Sequence, residues 1–229
     1  MRRRRRRRRW IGLGGFLLGF SLLACRTTPL PPKALDHNRR GIAYLESRAL
    51  DEAEACFRLA LEYHPKFSEP YANLGIVYFR RGQSKEALKW LRSAIRLNED
   101  FAEAWSSLGV VLESRRSFRE ALDAYQQALR IQPGLIAARM NLALLLTRRS
   151  HYAEARTHLL RLLQLAPKRG DALALLSYCE LRLGRFANAK ARADEALQGS
   201  DLGLWREFAL RLSITSENAQ AKPSAMRAP

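Results

Sequence analysis

Along this chain apolar side chains recur at helical spacing, and the small ones among them return every 34 residues. One ladder holds Gly41, Gly75, Gly109, Ala143 and Ser177; a second holds Ala53, Ala87, Ala121, Ala155 and Ala189; a third holds Ala60, Ala94, Ala128, Leu162 and Ala196. Three ladders in one register mark a repeat of stacked units, each too small to bury its apolar face alone. Small residues at a fixed phase are what two antiparallel helices need in order to cross closely. Between them stand larger side chains expected to fill the interior: Tyr44, Phe57, Tyr71, Leu74, Tyr78, Leu91, Trp105, Leu108, Leu112, Tyr125, Leu142, Leu146, Leu159, Leu173 and Leu176. Pro65, Pro133 and Pro167 stop the second helix of three units at one phase, and Glu99 and Asp201 stand there in the other two. The pattern predicts an all-α helix-turn-helix solenoid of five full repeats, residues 34–67, 68–101, 102–135, 136–169 and 170–203. Leu202, Trp205, Phe208, Ala209 and Leu212 then form one stripe, predicting over 204–214 a capping helix or a degenerate sixth repeat. The small, polar stretch 215–229 is expected to be disordered.

Tyr71-x-x-Leu74-Gly75-x-x-Tyr78, followed by Ala87, Leu91 and Ala94, resembles a tetratricopeptide repeat (TPR); Trp105-x-x-Leu108-Gly109 with Ala121, Tyr125, Ala128 and Pro133 resembles it more closely still. Repeat four departs from the pattern with Arg139 in place of an aromatic and Leu162 in place of alanine, and repeat five with Leu173, Ser177 and Ala193. The resemblance implies a right-handed superhelix whose first helices line a concave, partner-binding surface. At the ninth position of successive repeats stand Ile42, Ile76, Val110, Leu144 and Tyr178, and three residues on come Leu45, Phe79, Glu113, Thr147 and Leu181. The candidate groove is therefore Ile42, Leu45, Ile76, Phe79, Val110, Leu144, Tyr178 and Leu181, apolar but broken by polarity in its middle. The family's carboxylate clamp is not present: Asn73 and Asn141 match one of its phases, but the flanking phases hold Ile42, Glu103 and Ser107, and Val110, Asp171 and Leu175. Such a groove suits an apolar or amphipathic protein segment. A buried aliphatic side chain contributes about 1.5–3 kcal/mol against about 0.5–1.5 for ordering it. Micromolar affinity needs about 8, so the segment should engage several repeats.

The N-terminus changes the picture. Arg2 to Arg9 is an unbroken arginine run followed by an apolar stretch, Trp10 to Ala24, shorter than the roughly 20 residues of a membrane-spanning helix. That layout predicts a signal peptide over 1–24, exported by the general or, through Arg8-Arg9, the twin-arginine route. Leu22-Leu23-Ala24-Cys25 resembles the lipobox of bacterial lipoproteins, which implies that Cys25 is the lipidation site and first residue of the mature protein. The proline-rich linker 25–33 reaches only about 30 Å in polyproline geometry, which keeps the solenoid close to the membrane. The chain carries 40 Lys+Arg and 22 Asp+Glu, +18 overall; losing the eight arginines of the signal segment leaves 32 against 22, or +10. This remainder reads as Arg and Lys scattered over outward helix faces, with no recognition helix, zinc site or stacking motif for nucleic acid.

Nothing in the chain assembles a catalytic centre. Nucleophile-elbow, phosphate-loop and metal-helix motifs are missing; His151 and His158 stand seven apart on one helix without a third ligand. Glu52, Glu54, Glu86 and Glu120 fall where second helices begin, suiting the helix dipole. Cys56 and Cys179 lie in repeats one and five, too far apart to pair in a solenoid, and read as buried thiols. The expectation is a non-enzyme with no cofactor, metal, nucleic acid or small-molecule substrate. Signal segment, lipobox, short linker and repeats together resemble the type IV pilus assembly lipoproteins, the pilotin family of PilF, PilW and Tgl. That resemblance implies an outer-membrane lipoprotein facing the periplasm, with a PilQ-like secretin subunit as partner and a role in pilus extension and motility. A scaffold lipoprotein resembling NlpI, which collects murein hydrolases and proteases, is the alternative.

Overall fold

The computed structural model describes residues 29–198 and 205–221, and every regular element among them is a helix. The helices come in pairs: α1 (Pro32–Glu46) with α2 (Leu50–Tyr63), α3 (Ser68–Arg80) with α4 (Ser84–Leu97), α5 (Ala102–Ser114) with α6 (Phe118–Ile131), α7 (Ile136–Arg148) with α8 (Tyr152–Leu165), and α9 (Gly170–Arg182) with α10 (Phe186–Gln198). A last helix, α11, covers Trp205–Ala221. From α3 to α9, each first helix packs on its own second helix, on the preceding second helix and on the preceding first helix, so the five pairs stack as a solenoid.

The glycine ladder works by close approach. A Cβ on Gly41 would stand 2.6 Å from the Phe57 ring, one on Gly75 2.6 Å from Leu91 Cγ, and one on Gly109 2.6 Å from the Tyr125 ring. Large side chains of the second helices lie flat on bare backbone of the first, and all three are fully buried. Repeat four accepts a methyl at this crossing opposite a leucine, and repeat five exchanges size across it. Ala143 stands at the phase opposite Leu159, and Ser177, whose hydroxyl donates to the Ala189 carbonyl at 2.6 Å, at the phase opposite Ala193. Arg139, the departure in repeat four, replaces the aromatic's polar tip. Tyr71 donates to the Pro65 carbonyl at 3.0 Å, Trp105 to the Glu99 carbonyl at 2.9 Å, and the Arg139 guanidinium to the Pro133 carbonyl. In repeats two to four the position carries a long donor reaching six residues back, aromatic or not, whereas repeat five has Leu173 there, packed with Ala196 and Ala209.

Each first helix ends in one turn. Arg48, Gly82, Arg116, Ser150 and Gly184 have φ between 62° and 78°, and the amide after each returns to the carbonyl five residues earlier, as in Gln83 N–H to Tyr78 and Ser117 N–H to Leu112. This is a Schellman closure repeated five times, with a non-glycine residue in the left-handed conformation in three copies. Relief of about 1–2 kcal/mol of left-handed strain exceeds the unfolded-state entropy that glycine adds, about 0.4–1. Ser150→Gly is therefore expected to raise the thermal midpoint and Gly82→Ala to lower it, a contrast that a pair of melting curves resolves. The stop of the second helices does not require proline. α4 ends at the phase of α2, α6 and α8, and there Asn98 leaves helical geometry and accepts a hydrogen bond from the Asp100 amide at 3.1 Å.

Three expectations are corrected. Helix begins at Pro32, inside the expected linker 25–33, because proline is favoured in a first turn. Tyr44 is 36% exposed instead of interior; its equivalents Tyr78 and Glu180 bond to the preceding second helix through Glu54 and Arg156, and α1 has no repeat before it. The stretch expected to be disordered from 215 is helical to Ala221. The buried face of α11 continues past Ala209 and Leu212 in serines: Ser213, whose hydroxyl bonds Asp194 at 2.6 Å, and fully buried Ser216. α11 lies against both α9 and α10 and puts Arg211 at the small-residue phase, so it closes the stack out of register with a sixth repeat. Residues 1–28, with the signal segment and Cys25, and 222–229 lie outside the described residues. Among those described, no helix is long and apolar enough to cross a membrane.

Candidate functional site

The inner face is built by the first helices, and one register dominates its contacts. A residue late in one first helix meets the residue 35 positions on: Asn73 donates to Asn38 Oδ1 at 3.1 Å, Arg80 to the Leu45 carbonyl, and Arg148 to Glu113 Oε1. In the middle of this face Phe79, Val110 and Leu144 gather around a cavity of about 310 Å³, completed by Glu113, Ser114, Tyr125, Asn141 and Arg148. Three of the eight expected groove residues thus converge on one concavity spanning repeats two to four, large enough to take one bulky side chain.

The expected break in polarity is a closed network. Tyr125 donates its phenol to Glu113 Oε2 at 3.1 Å, and Arg148 holds the other carboxylate oxygen. Burial, then the neighbouring Glu113 charge, pushes the Tyr125 phenol far above its ordinary range, so it stays a donor at any physiological pH. The Glu113 side chain is 14% exposed and that of Arg148 68% exposed, leaving the guanidinium facing solvent at the cavity rim. Tyr125 belongs to a second helix and reaches the inner face only because Gly109 leaves it room. The fold ladder and the site therefore share a residue.

The remaining expected residues divide. Ile42 is 38% exposed at the N-terminal end of the face, and Ile76 and Leu181 are half-buried. Leu45 is a correction: it is 7% exposed and packed with Phe57, Leu74 and Val77, inside the core and unavailable to a partner. Thr147 at the same phase is also buried, its hydroxyl bonded back to the Ala143 carbonyl at 2.7 Å. Tyr178 is enclosed by the rings of Tyr152 and Phe208, each 6.0 Å away, with the Arg182 guanidinium 4.9 Å from the Tyr152 ring centre. Through Phe208, α11 closes that end of the face. Cys56 and Cys179 are buried free thiols.

Glu54 does more than face a helix dipole. Arg81 and Arg58 pair with it and Tyr78 donates to it at 2.7 Å, tying α2 to α3. Burial alone would raise its pKa, but the hydrogen bonds from Arg81, Tyr78 and Arg58 outweigh it and hold the carboxyl at about 2. A carboxylate depressed in the folded state stabilises fully above its unfolded value near 4.5 and ceases to do so as pH falls towards 2. Glu54→Gln is expected to cost about 1–2 kcal/mol at pH 7 after solvent screening, and to cost progressively less between pH 4.5 and 2 in acid-titrated denaturation curves.

Comparison with known proteins agrees with this architecture. The profile of the family described as Tetratricopeptide repeat matches residues 38–100, 72–136 and 140–201. A comparison with curated proteins found no match. Among solved structures, the chain is similar to pilF of Pseudomonas aeruginosa, with 18% identity over 83% of this chain and 92% of that one and a TM-score of 0.69. It is similar to YrrB, described as a TPR protein with an unusual peptide-binding site, with 21% identity over 78% and 90% and a TM-score of 0.60. It is also similar to MamA from Desulfovibrio magneticus RS-1, with 16% identity over 74% and 96% and a TM-score of 0.62. At these identities the likeness speaks for the fold.

Proposed function

This chain belongs to the tetratricopeptide-repeat family, whose stacked helices form a protein-interaction scaffold, and from that premise we propose that it is a lipid-anchored pilotin of the bacterial outer membrane. In this reading Cys25 carries the lipid, the short linker holds the solenoid at the periplasmic surface, and the inner face receives an apolar segment of a secretin subunit and promotes secretin assembly for type IV pili. The observation that carries the reading is the joining of Leu22-Leu23-Ala24-Cys25 to a TPR solenoid through so short a linker. The cavity at Phe79, Val110 and Leu144 supports it with a seat for an apolar anchor, and the rim from Ile42 to Leu181 lets a segment run across several repeats.

Deleting the gene and running the secretin on an unboiled gel tests the role: heat-stable multimers should diminish, and undiminished multimers sink the pilotin reading. Cys25→Ser should abolish incorporation of labelled fatty acid; lipid retained by that variant would refute the anchor on its own, whatever the secretin does.

A further inference from the structure

Many arginines of the folded part lie scattered over helix faces, but a group of them stands along one border. Because the first helices lie side by side, their closing turns at 47–49, 81–83, 115–117, 149–151 and 183–185 follow one another down a single edge of the solenoid. Arg48, Arg80, Arg115, Arg116, Arg149 and Arg182 all lie in these turns or directly before them, and all are exposed. Among the described residues none of the six has a carboxylate within ion-pairing distance, whereas the neighbouring Arg81, Arg148 and Arg185 are held by Glu54, Glu113 and Glu180. Two concavities notch the edge: one of about 540 Å³ at Arg48 and Arg80, with Glu46 in its wall, and one of about 580 Å³ at Lys85 and Arg115, with Glu86 in its wall.

We propose that this edge docks an acidic, extended segment of a protein partner, separately from the inner face. Neighbouring helices pack about 8–10 Å apart, and a chain in polyproline II geometry advances about 3.1 Å per residue with three residues per turn, so acidic side chains at every third residue share one face and meet successive turns. Each notch offers an unpaired guanidinium, which binds carboxylate through paired donors. The preference for a protein over a lipid surface rests on the anchor proposed above. The linker enters at Pro32, at the opposite border, and a helix of 13 residues separates the two borders by about 20 Å. The arginine edge therefore lies across the solenoid from the point where the chain leaves towards Cys25.

The test uses the full-length protein in neutral detergent and a fluorescent 18-residue peptide with glutamate at every third position, spaced by serine and glycine. The peptide should bind with an affinity that falls steeply as salt rises from 50 to 300 mM, and an isomer with its six glutamates in one block should bind at least fivefold more weakly. Changing Arg48, Arg115, Arg116 and Arg149 to Gln should lose at least tenfold in affinity, while the matching Lys variants keep binding within about threefold; all these side chains are exposed, and circular dichroism should be unchanged. Should the Gln variant misfold, the Lys set and the single R115Q and R149Q variants carry the same comparison. No binding of the spaced peptide, an unchanged affinity in the Gln variants, or equal affinity for the blocked isomer overturns the proposal. So does a larger Gln-dependent loss on phosphatidylglycerol micelles or on a 20-base-pair duplex, which would assign the edge to lipid or nucleic acid. Substitutions in the Phe79 cavity should leave peptide binding intact, which separates this proposal from the fate of the pilotin reading.

Discussion

Replacing Gly109 by alanine should destabilise the solenoid by about 1–2 kcal/mol, although alanine is the better helix former by about 1. The added methyl would stand 2.6 Å from a Tyr125 ring that is fully buried and fixed at its far end by the bond to Glu113. The ring has nowhere to swing, so the backbones of α5 and α6 must separate. Tyr125→Ala on its own should cost about 3–5 kcal/mol through cavity formation and the loss of one of the two bonds to Glu113. The informative variant is the double one. With the ring gone, the methyl meets open space, and the pair should be no less stable than Tyr125→Ala alone, giving a coupling of more than about 1 kcal/mol in the mutant cycle. Chemical denaturation followed by circular dichroism measures all three, and Gly134→Ala, whose Cβ would meet nothing within 4 Å, supplies the silent control. Strictly additive costs would show that the ladder is a sequence habit and not a packing constraint. Repeat five already contains the compensated form, with Ser177 on one helix and Ala193 on the other.

That exchange explains how much could be read from the chain. Small residues at helix crossings are demanded by backbone approach in every copy, so repeat number, pairing and most helix limits were legible in the spacing. The inner face was legible only at the ninth position. Three residues on, depth differs from copy to copy: Leu45 sinks into the core beside Phe57, Thr147 bonds back to its own helix, and Phe79 stays at the surface. A one-dimensional register gives the direction of a side chain, and its depth depends on neighbours in two adjoining repeats. Tyr125 was missed because it reaches the site from a second helix through the gap at Gly109. The end of α11 was missed because its buried face is written in Ser213, which bonds Asp194, and Ser216, small polar residues where an apolar stripe was sought. The arginine border could have been found: it repeats at residues just before and within each turn, a phase that a search for apolar periodicity passes over.

If the inner face receives the proposed secretin segment, Phe79→Asp together with Leu144→Asp should weaken its binding by at least a hundredfold while leaving helix content unchanged. Both side chains line the central cavity and are half-buried, packed against the edge of the core without being enclosed in it, so the repeats tolerate a charge there far better than at a fully buried position. Each aliphatic or aromatic contact of this kind contributes about 1.5–3 kcal/mol, which is roughly ten- to hundredfold in affinity. The new carboxylates also stand beside Glu113, whose charge is already matched by Arg148, so they add like-charge repulsion to the loss of apolar contact. Leu45→Asp gives the opposite signature: it buries a charge next to Phe57 and Val77 and should lower the melting temperature before any effect on binding can be read. Two variants at successive copies of one phase, Leu45 and Phe79, thus separate a residue that builds the solenoid from one that uses it. Isothermal titration with the secretin segment decides the matter, since unaltered affinity in the Phe79 and Leu144 variant would remove the partner from the inner face.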